Sequence, residues 1–188
     1  MFILYPLLLA ILLAALTGGR PDRLADLRLR WWGLAVGGLL VQVVLFSPAA
    51  AALASLGPVI YVVSTGAVLI TVLANLRRPG LTLVAIGAAL NLAAIVANGG
   101  YMPTTPAALR AAGLDPAGGY SNSVELEEPH LALLTDILAI PDAVPFANVF
   151  SVGDVCIGLG IGWLAYSTMR RRPEDADESH PPSMGVEY

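Results

Sequence analysis

The chain of 188 residues is 56% hydrophobic and only 13% charged, with a formal net charge of −4 and a mean hydropathy of +0.73. An average soluble domain carries roughly a quarter charged residues, and a soluble protein this apolar would expose large patches that aggregate. The basic residues are ten arginines, and there is one cysteine. This composition excludes a secreted disulfide scaffold, a nucleic-acid binder and a disordered chain, and it predicts a polytopic membrane protein.

Five apolar segments predict an all-α fold, a bundle of five transmembrane helices in a single domain over residues 1–167. Each segment is long or nearly long enough to cross a hydrocarbon core of ~30 Å. The five spans are 2–17, 32–54, 58–76, 81–98 and 149–167. The first has the length of a signal peptide, but no basic residue precedes it and the arginines follow it, which favours a retained helix.

The arginines predict the orientation of the bundle. Nine of the ten lie in the 18–30 loop, the 77–80 turn and the segment that follows the last span, whereas the 99–148 connection holds only Arg110. Because basic residues favour the cytoplasmic side, we expect the N-terminus outside and the C-terminus inside a bacterial plasma membrane. The 18–30 loop forms either a short basic helix at the inner interface or only a solvated topology determinant, and the 168–188 tail is expected to be a disordered cytoplasmic segment.

The outer loop, residues 99–148, is longer than most connections, which often indicates function or disorder. Thr105 is the expected N-cap of a short helix with Pro106 in its first turn, and Gly113 is the expected stop. The nearly apolar run 130–139 is too short to span a membrane and predicts a re-entrant or interfacial segment. This run contains one carboxylate, Asp136.

Asp154 is the only acidic residue inside a predicted span, and it lies near the outer end. A carboxylate within the membrane indicates a functional site because its isolated ionisation is costly. The spacing from Ser151 to Asp154 also fits a capping box, which is a structural alternative. On the same helix face, Gly158 and Gly162 would allow a neighbouring helix to pack closely.

Polar residues on the fourth span point towards the level of Asp154. Asn91 and Asn98 share one helix face, whereas Gln42 and Asn75 on other spans are expected to make interhelical hydrogen bonds. We predict that the outer ends of spans four and five gather one polar site. Its members are Asn91, Asn98, Tyr101, Asp136 and Asp154.

Such a site suits hydrolysis. Two carboxyl groups that share a site repel each other when both are ionised, so one of them tends to keep a proton. The pair then supplies a general base and a general acid for the attack of water on an amide. Neither a metal nor a cofactor is expected, because Cys156 lies in an apolar helix, His130 and His180 form no ligand cluster, and no phosphate-binding Gly-Lys-Ser/Thr motif occurs.

The strings 87–91, 135–138 and 145–163 resemble the conserved boxes of lipoprotein signal peptidase, including those around its two catalytic aspartates. The resemblance implies a membrane aspartyl peptidase in which Asp136 and Asp154 are catalytic. The chain departs from that family in two places. The Asp-Arg pair that follows Gly-Asn in the peptidase is absent, and the turn after the second span is too short for the peptidase's Asn-x-Gly-x-x-Phe substrate loop.

A second resemblance covers most of residues 1–167 and is to a bacterial membrane family known only as a domain of unknown function. The strings 18–21, 98–103 and 150–154 are similar to that family's motifs. This resemblance implies a multi-pass membrane protein and no particular activity.

Two functions remain open at this point. The first is an aspartyl hydrolase at the outer face of the membrane, acting on a peptide or lipid-linked substrate through Asp136 and Asp154, with Asn91, Asn98 and Tyr101 orienting the pair or binding substrate. The alternative is a non-catalytic membrane subunit or assembly factor that docks a membrane-associated peptide, lipoprotein or protein through its outer loop. Apart from the lipid bilayer itself, no other partner class is indicated, and nucleic acid is excluded.

Overall fold

The computed structural model describes residues 2–47, 55–114, 123–126 and 128–171. This part of the chain is mainly helical, as predicted, but it also contains short strands that an all-α fold does not include. Its helices are α1 (Leu4–Leu16), α2 (Trp32–Leu45), α3 (Gly57–Leu73), α4 (Leu81–Ala97), α5 (Pro106–Ala111) and α6 (Val152–Arg170). The predicted disordered tail covers 168–188, but residues 168–170 are instead the end of α6, and positions from 172 onwards lie outside the described residues.

Each of the five predicted apolar segments overlaps one of the longer helices, and the bounds differ most in the second and the last. The second helix ends at Leu45, and residues 48–54 lie outside the described part of the chain. The last helix begins at Val152 rather than at 149, because residues 148–150 pair as a strand and Ser151 caps the helix.

Helix length supports the predicted spans only in part. Helix α6, with 19 residues, is the one helix of the described chain that is long and apolar enough to cross a membrane. Helices α1 to α4 are apolar but have 13 to 17 residues. Four of the five helices are therefore shorter than a full span, and helix length does not support the five-transmembrane arrangement. The one long apolar helix is weak evidence by itself, because such helices also form the cores of soluble proteins.

The long helices pack side by side in the order α1, α6, α4, α3, α2. Helices α4 and α6 approach closely where Gly87 faces Gly153, since a Cβ on Gly153 would lie 2.7 Å from the carbonyl oxygen of Gly87. On the other side of α6, Gly158 and Gly162 face Pro6 of α1. The small residues of α6 therefore allow two neighbouring helices to pack against it, as expected for such stripes.

One end of the bundle collects the arginine-rich segments 18–30, 77–80 and 168–171, and we call it the arginine end. The backbone N–H of Arg20 donates to the carbonyl of Met169 at the end of α6 (2.9 Å). Asn75, just after α3, accepts from the N–H of Arg30 (2.8 Å) and donates to its carbonyl (2.9 Å). These bonds fix the 18–30 loop, which contains a 3₁₀ helix (Pro21–Asp26), against the ends of α3 and α6.

The opposite end carries the long connection, which contains two small sheets. Strand β1 (Met102–Thr104) pairs in parallel with β2 (Ser123–Glu125), and β3 (Leu138–Ile140) pairs antiparallel with β4 (Asn148–Phe150). The predicted cap of α5 is confirmed: the Thr105 side chain accepts from the N–H of Ala108 (3.2 Å), and Gly113 has a φ of +64°.

The structure describes the conformation of the run 130–139, whereas its placement as a re-entrant or interfacial segment stays a prediction. The run forms a 3₁₀ turn (Ala132–Leu134), a β-bridge at Asp136 and the start of β3. Its backbone groups find partners in β1 and β4, two segments that are distant in sequence. An apolar run paired in this way needs no helix to satisfy its backbone hydrogen bonds.

Candidate functional site

The β3–β4 pair brings the segment of Asp136 to the start of α6. In the antiparallel register Leu138 lies opposite Phe150. Extending that register by two residues places Asp136 level with Val152, in the first turn of α6. Strand β4 continues into α6 through Ser151, so the two aspartates approach although 17 residues separate them in the chain.

Asp136 is held by its backbone. Its N–H donates to the carbonyl of Pro103 (2.9 Å), and the hydroxyl of Thr104 donates to its carbonyl (3.1 Å). The Asp136 residue is 4% exposed. Strand β1, which follows directly after α4, therefore fixes this carboxyl group in a buried position.

Asp154 is held by its side chain. The Ser151 hydroxyl accepts from the N–H of Asp154 (3.0 Å), while Asp154 Oδ2 accepts from the N–H of Ser151 (3.0 Å). This is the capping box that the spacing predicted. The other oxygen, Asp154 Oδ1, accepts from Asn91 Nδ2 on α4 (2.9 Å). The carboxyl group thus caps its own helix and also ties it to α4.

Ser151 completes this polar cluster. Ser151 is fully buried, and its Oγ lies 2.8 Å from Asn91 Oδ1 and 3.1 Å from Asp154 Oδ2. The single hydroxyl proton can serve only one of these two acceptors at a time. Asn91 and Ser151 together restrict the rotation of the Asp154 carboxyl group.

A cavity of about 310 Å³, which we call the acidic cavity, has both aspartates in its walls. Its other polar walls are Asn91 and Asn148. Its remaining walls are Tyr61, which has a polar hydroxyl, and the apolar residues Phe2, Ile3, Leu4, Met102, Val149 and Phe150. Because α6 has 19 residues and rises about 1.5 Å per residue, this cavity lies almost 30 Å from the arginine end.

The structure brings together three of the five predicted site residues. Asn91, Asp136 and Asp154 line the acidic cavity, whereas Asn98 and Tyr101 are not among its walls. Asn98 is buried and donates from Nδ2 to the carbonyls of Ala94 (2.8 Å) and His130 (2.9 Å), and its Oδ1 accepts from the N–H of His130 (2.8 Å). It joins the outer loop to the end of α4.

Sequence reasoning missed several walls of the cavity. Phe2 stacks on Phe150 with ring centroids 4.3 Å apart, and the hydroxyl of Tyr5 donates to the carbonyl of Pro145. These contacts join the start of α1 to the segment that leads into α6, and apolar residues in an apolar segment give no local signal for them. Asn148 could have been found, because it is a polar residue next to the cap of α6.

The cavity offers acid–base and hydrogen-bonding chemistry. Two carboxyl groups can exchange protons with a water or a substrate, and two side-chain amides can donate to a carbonyl oxygen. Within the described ranges, no group of three or more His, Cys, Asp or Glu residues is placed to hold a metal ion.

The fold and site are therefore those of a helical protein with an acidic cavity at one end and clustered arginines at the other. A family model matches residues 26–166, and the chain belongs to that family, the family of unknown function DUF5317. No curated protein and no solved structure matches the chain. The comparisons give no support to the resemblance with lipoprotein signal peptidase.

Proposed function

We propose that the protein is a bacterial plasma-membrane protein whose five long helices all cross the bilayer. Helices α1 to α4 contain no charged residue, and large apolar side chains on them face outward, including Leu8 (59% exposed), Leu40 (60%) and Val63 (66%). In water this surface would favour aggregation, whereas in a bilayer it contacts hydrocarbon. Helices shorter than a full span are accommodated by local thinning of the bilayer and by their flanking residues.

The proposed orientation places the N-terminus outside and the C-terminus inside. It is supported by the gathering of the segments 18–30, 77–80 and 168–171 at one end of the bundle, since basic residues favour the cytoplasmic side. Arg110 is the one arginine of the described chain that lies in the connection at the opposite end. The acidic cavity then opens near the outer face.

We further propose that the acidic cavity is the active site of an aspartyl hydrolase that acts on a peptide or lipid-linked substrate. The observation that carries this proposal is that the walls of one cavity include both Asp136 and Asp154. One carboxylate would take a proton from water as the water attacks a carbonyl carbon, and the other carboxyl group would protonate the leaving group. Asn91 would hold Asp154 in place for this exchange.

The alternative, a non-catalytic subunit or assembly factor, is favoured by a specific observation. Both oxygens of the Asp154 carboxyl group already accept structural hydrogen bonds, one from the cap of α6 and one from Asn91. A capping and bridging role accounts for this residue without catalysis. In that case the outer loop would dock a partner, and no cavity residue would react with substrate analogues.

Covalent labelling separates the two functions without knowledge of the substrate. An alkylating epoxide reacts with a carboxylate when a neighbouring carboxylic acid protonates the epoxide oxygen as its ring C–O bond breaks. We expect purified full-length protein to be labelled at Asp136 or Asp154, as located by peptide mass spectrometry. Either Asp136→Asn or Asp154→Asn should lower the rate of this labelling at least tenfold. One aspartate attacks the epoxide and the other protonates it, so the reaction requires both.

The matched control is Asp142→Asn, which removes an exposed carboxylate outside the cavity. This variant should be labelled like the wild type. Labelling that is no faster in the cavity than at Asp142, or that persists unchanged at one cavity aspartate when the other is replaced, would contradict the hydrolase proposal and support the non-catalytic alternative.

A further inference from the structure

We propose that the arginine end is a binding site for anionic phospholipid headgroups. The inference rests on the proposed membrane orientation and is independent of the proposed hydrolysis. Arginines that only set the orientation of the chain in the membrane need no fixed arrangement. Here contacts with the helices hold the arginine-bearing segments in place, and we call this surface the platform.

Several contacts build this platform. Leu27 and Leu29 pack against the core cluster of α4 and α6 that includes Leu81 and Leu164. The two hydrogen bonds between Asn75 and the backbone of Arg30, described above, fix the end of the loop. The 18–30 loop therefore presents its arginines in a defined arrangement next to those of the other two segments.

On the described segments at this end, few acidic residues balance the positive charge of the arginines. Eight of the described arginines lie here, and the acidic residues on the same segments are Asp22 and Asp26. The arginines are Arg20, Arg23, Arg28, Arg30, Arg77, Arg78, Arg170 and Arg171. In the described part of the chain the one salt bridge joins Arg20 to Asp22 at 2.7 Å. Their hydrogen bond lowers the pKa of Asp22, so Asp22 stays ionised and its charge is matched by Arg20.

The remaining guanidinium groups either contact neutral acceptors or have no acceptor among the described residues. Arg23 donates to the carbonyls of Met169 and Arg171, and Arg78 donates to the carbonyl of Arg28 (3.2 Å). These carbonyls leave the net charge of each arginine uncompensated. The exposed side chains of Arg28 and Arg77 have no hydrogen-bond or ion-pair partner among the described residues.

Two exposed tryptophans place this charge at the level of lipid headgroups. Trp31 and Trp32 are 56% and 64% exposed at the start of α2, and the Arg30 guanidinium lies 5.7 Å from the ring centroid of Trp31. Tryptophan prefers the membrane–water interface, where phosphates are the nearest anions. Guanidinium groups bind phosphate oxygens through paired hydrogen bonds, so an anionic phospholipid fits both the charge and the depth of this surface.

The test uses the full chain in nanodiscs of equimolar phosphatidylcholine and phosphatidylglycerol, followed by native mass spectrometry of the lipids that remain bound. We expect phosphatidylglycerol to be retained several-fold more than phosphatidylcholine. An arginine near the surface changes affinity for anionic lipid by about fivefold, so the double variant Arg28→Gln/Arg77→Gln should remove most or all of this several-fold preference for phosphatidylglycerol. The matched control, Arg110→Gln at the opposite end, should retain it as the wild type does.

Three outcomes would overturn the inference. They are equal retention of the two lipids, an equal loss in the Arg110→Gln variant, and a preference that appears only when the acidic residues at 174, 175, 177 and 178 are neutralised. The last outcome would identify the chain's own acidic tail as the occupant. Failure to enter nanodiscs of phosphatidylcholine alone would contradict the membrane proposal, whereas entry without any lipid preference would contradict this inference only.

Discussion

Asn98 acts as a clamp between the outer loop and α4, and its removal should destabilise the protein. Its side chain makes three hydrogen bonds, two of them with the backbone of His130. In Asn98→Ala the partly buried N–H and carbonyl of His130 lose these bonds, and each group left unsatisfied costs up to about 1–3 kcal/mol. We expect the free energy of unfolding in detergent, measured by chemical denaturation, to fall by about 2 kcal/mol or more.

His130→Ala is the matched control for this clamp. The His130 residue is exposed, and its bonds with Asn98 use only backbone atoms. The variant should change the free energy of unfolding by no more than about 0.5 kcal/mol. An equal fall in the free energy of unfolding for both variants, or no fall for either, would show that Asn98 is not a clamp. The prediction that Asn98 orients the aspartates or binds substrate would then be the remaining explanation for it.

At the level of single residues, the sequence predicts the direction in which a side chain points better than it predicts which residue that side chain contacts. The spacing of Ser151 and Asp154 specifies the capping box because both partners lie within one helical turn. The stripe on α4 points Asn91 and Asn98 to the same side, but one meets Asp154 and the other meets the backbone of His130. Helical periodicity fixes the direction of a side chain and not the segment that packs against it.

The contact between α4 and α6 depends on glycine, and an added methyl group should disrupt it. In Gly153→Ala the new Cβ would lie 2.7 Å from the carbonyl oxygen of Gly87 and would also overlap the Asn91 amide. Alanine favours a helix more than glycine does by about 1 kcal/mol, but forced overpacking costs about 1–3 kcal/mol, and here the neighbour is backbone. We expect a lower melting temperature together with weaker epoxide labelling at Asp154.

Gly66→Ala in α3 is the matched control, because a Cβ at that position meets no atom within 4 Å. It should leave the labelling unchanged and stabilise the protein by up to about 1 kcal/mol. Equal melting temperatures for the two variants would show that α4 and α6 do not need a glycine at this contact.

At the level of elements, apolar segments predict helices and local caps predict their ends, but the β3–β4 pair has no such local signal. Residues 138–140 belong to an apolar run whose composition suits a helix or a strand equally well. They become a strand because β4 lies ahead of α6 and offers backbone partners. This pairing is what brings Asp136 level with α6, so the candidate site depends on a feature of the fold that the sequence does not reveal.

The whole molecule has opposite chemical character at its two ends. Nine of the ten arginines lie in three segments, and the structure brings the described parts of these segments to one end of the bundle. The acidic cavity lies at the other end, where residues 2–4, which lead into α1, form part of its wall although the family match begins only at residue 26. Because the arginines and the acidic cavity lie at opposite ends, the cavity faces outward only if the arginines face the cytoplasm. The proposed site therefore depends on the proposed topology.

Cysteine accessibility in intact cells tests this orientation. In a Cys156→Ser background, which removes the sole natural thiol, we introduce either Arg110→Cys in the outer loop or Arg77→Cys in the turn after α3. A membrane-impermeant maleimide should label the first variant in intact cells and the second only after permeabilisation, because the bilayer separates the two positions. The unaltered Cys156→Ser protein provides the background signal. Labelling of both positions in intact cells, or of residue 77 alone, would refute the proposed topology and would place the acidic cavity away from the outer face.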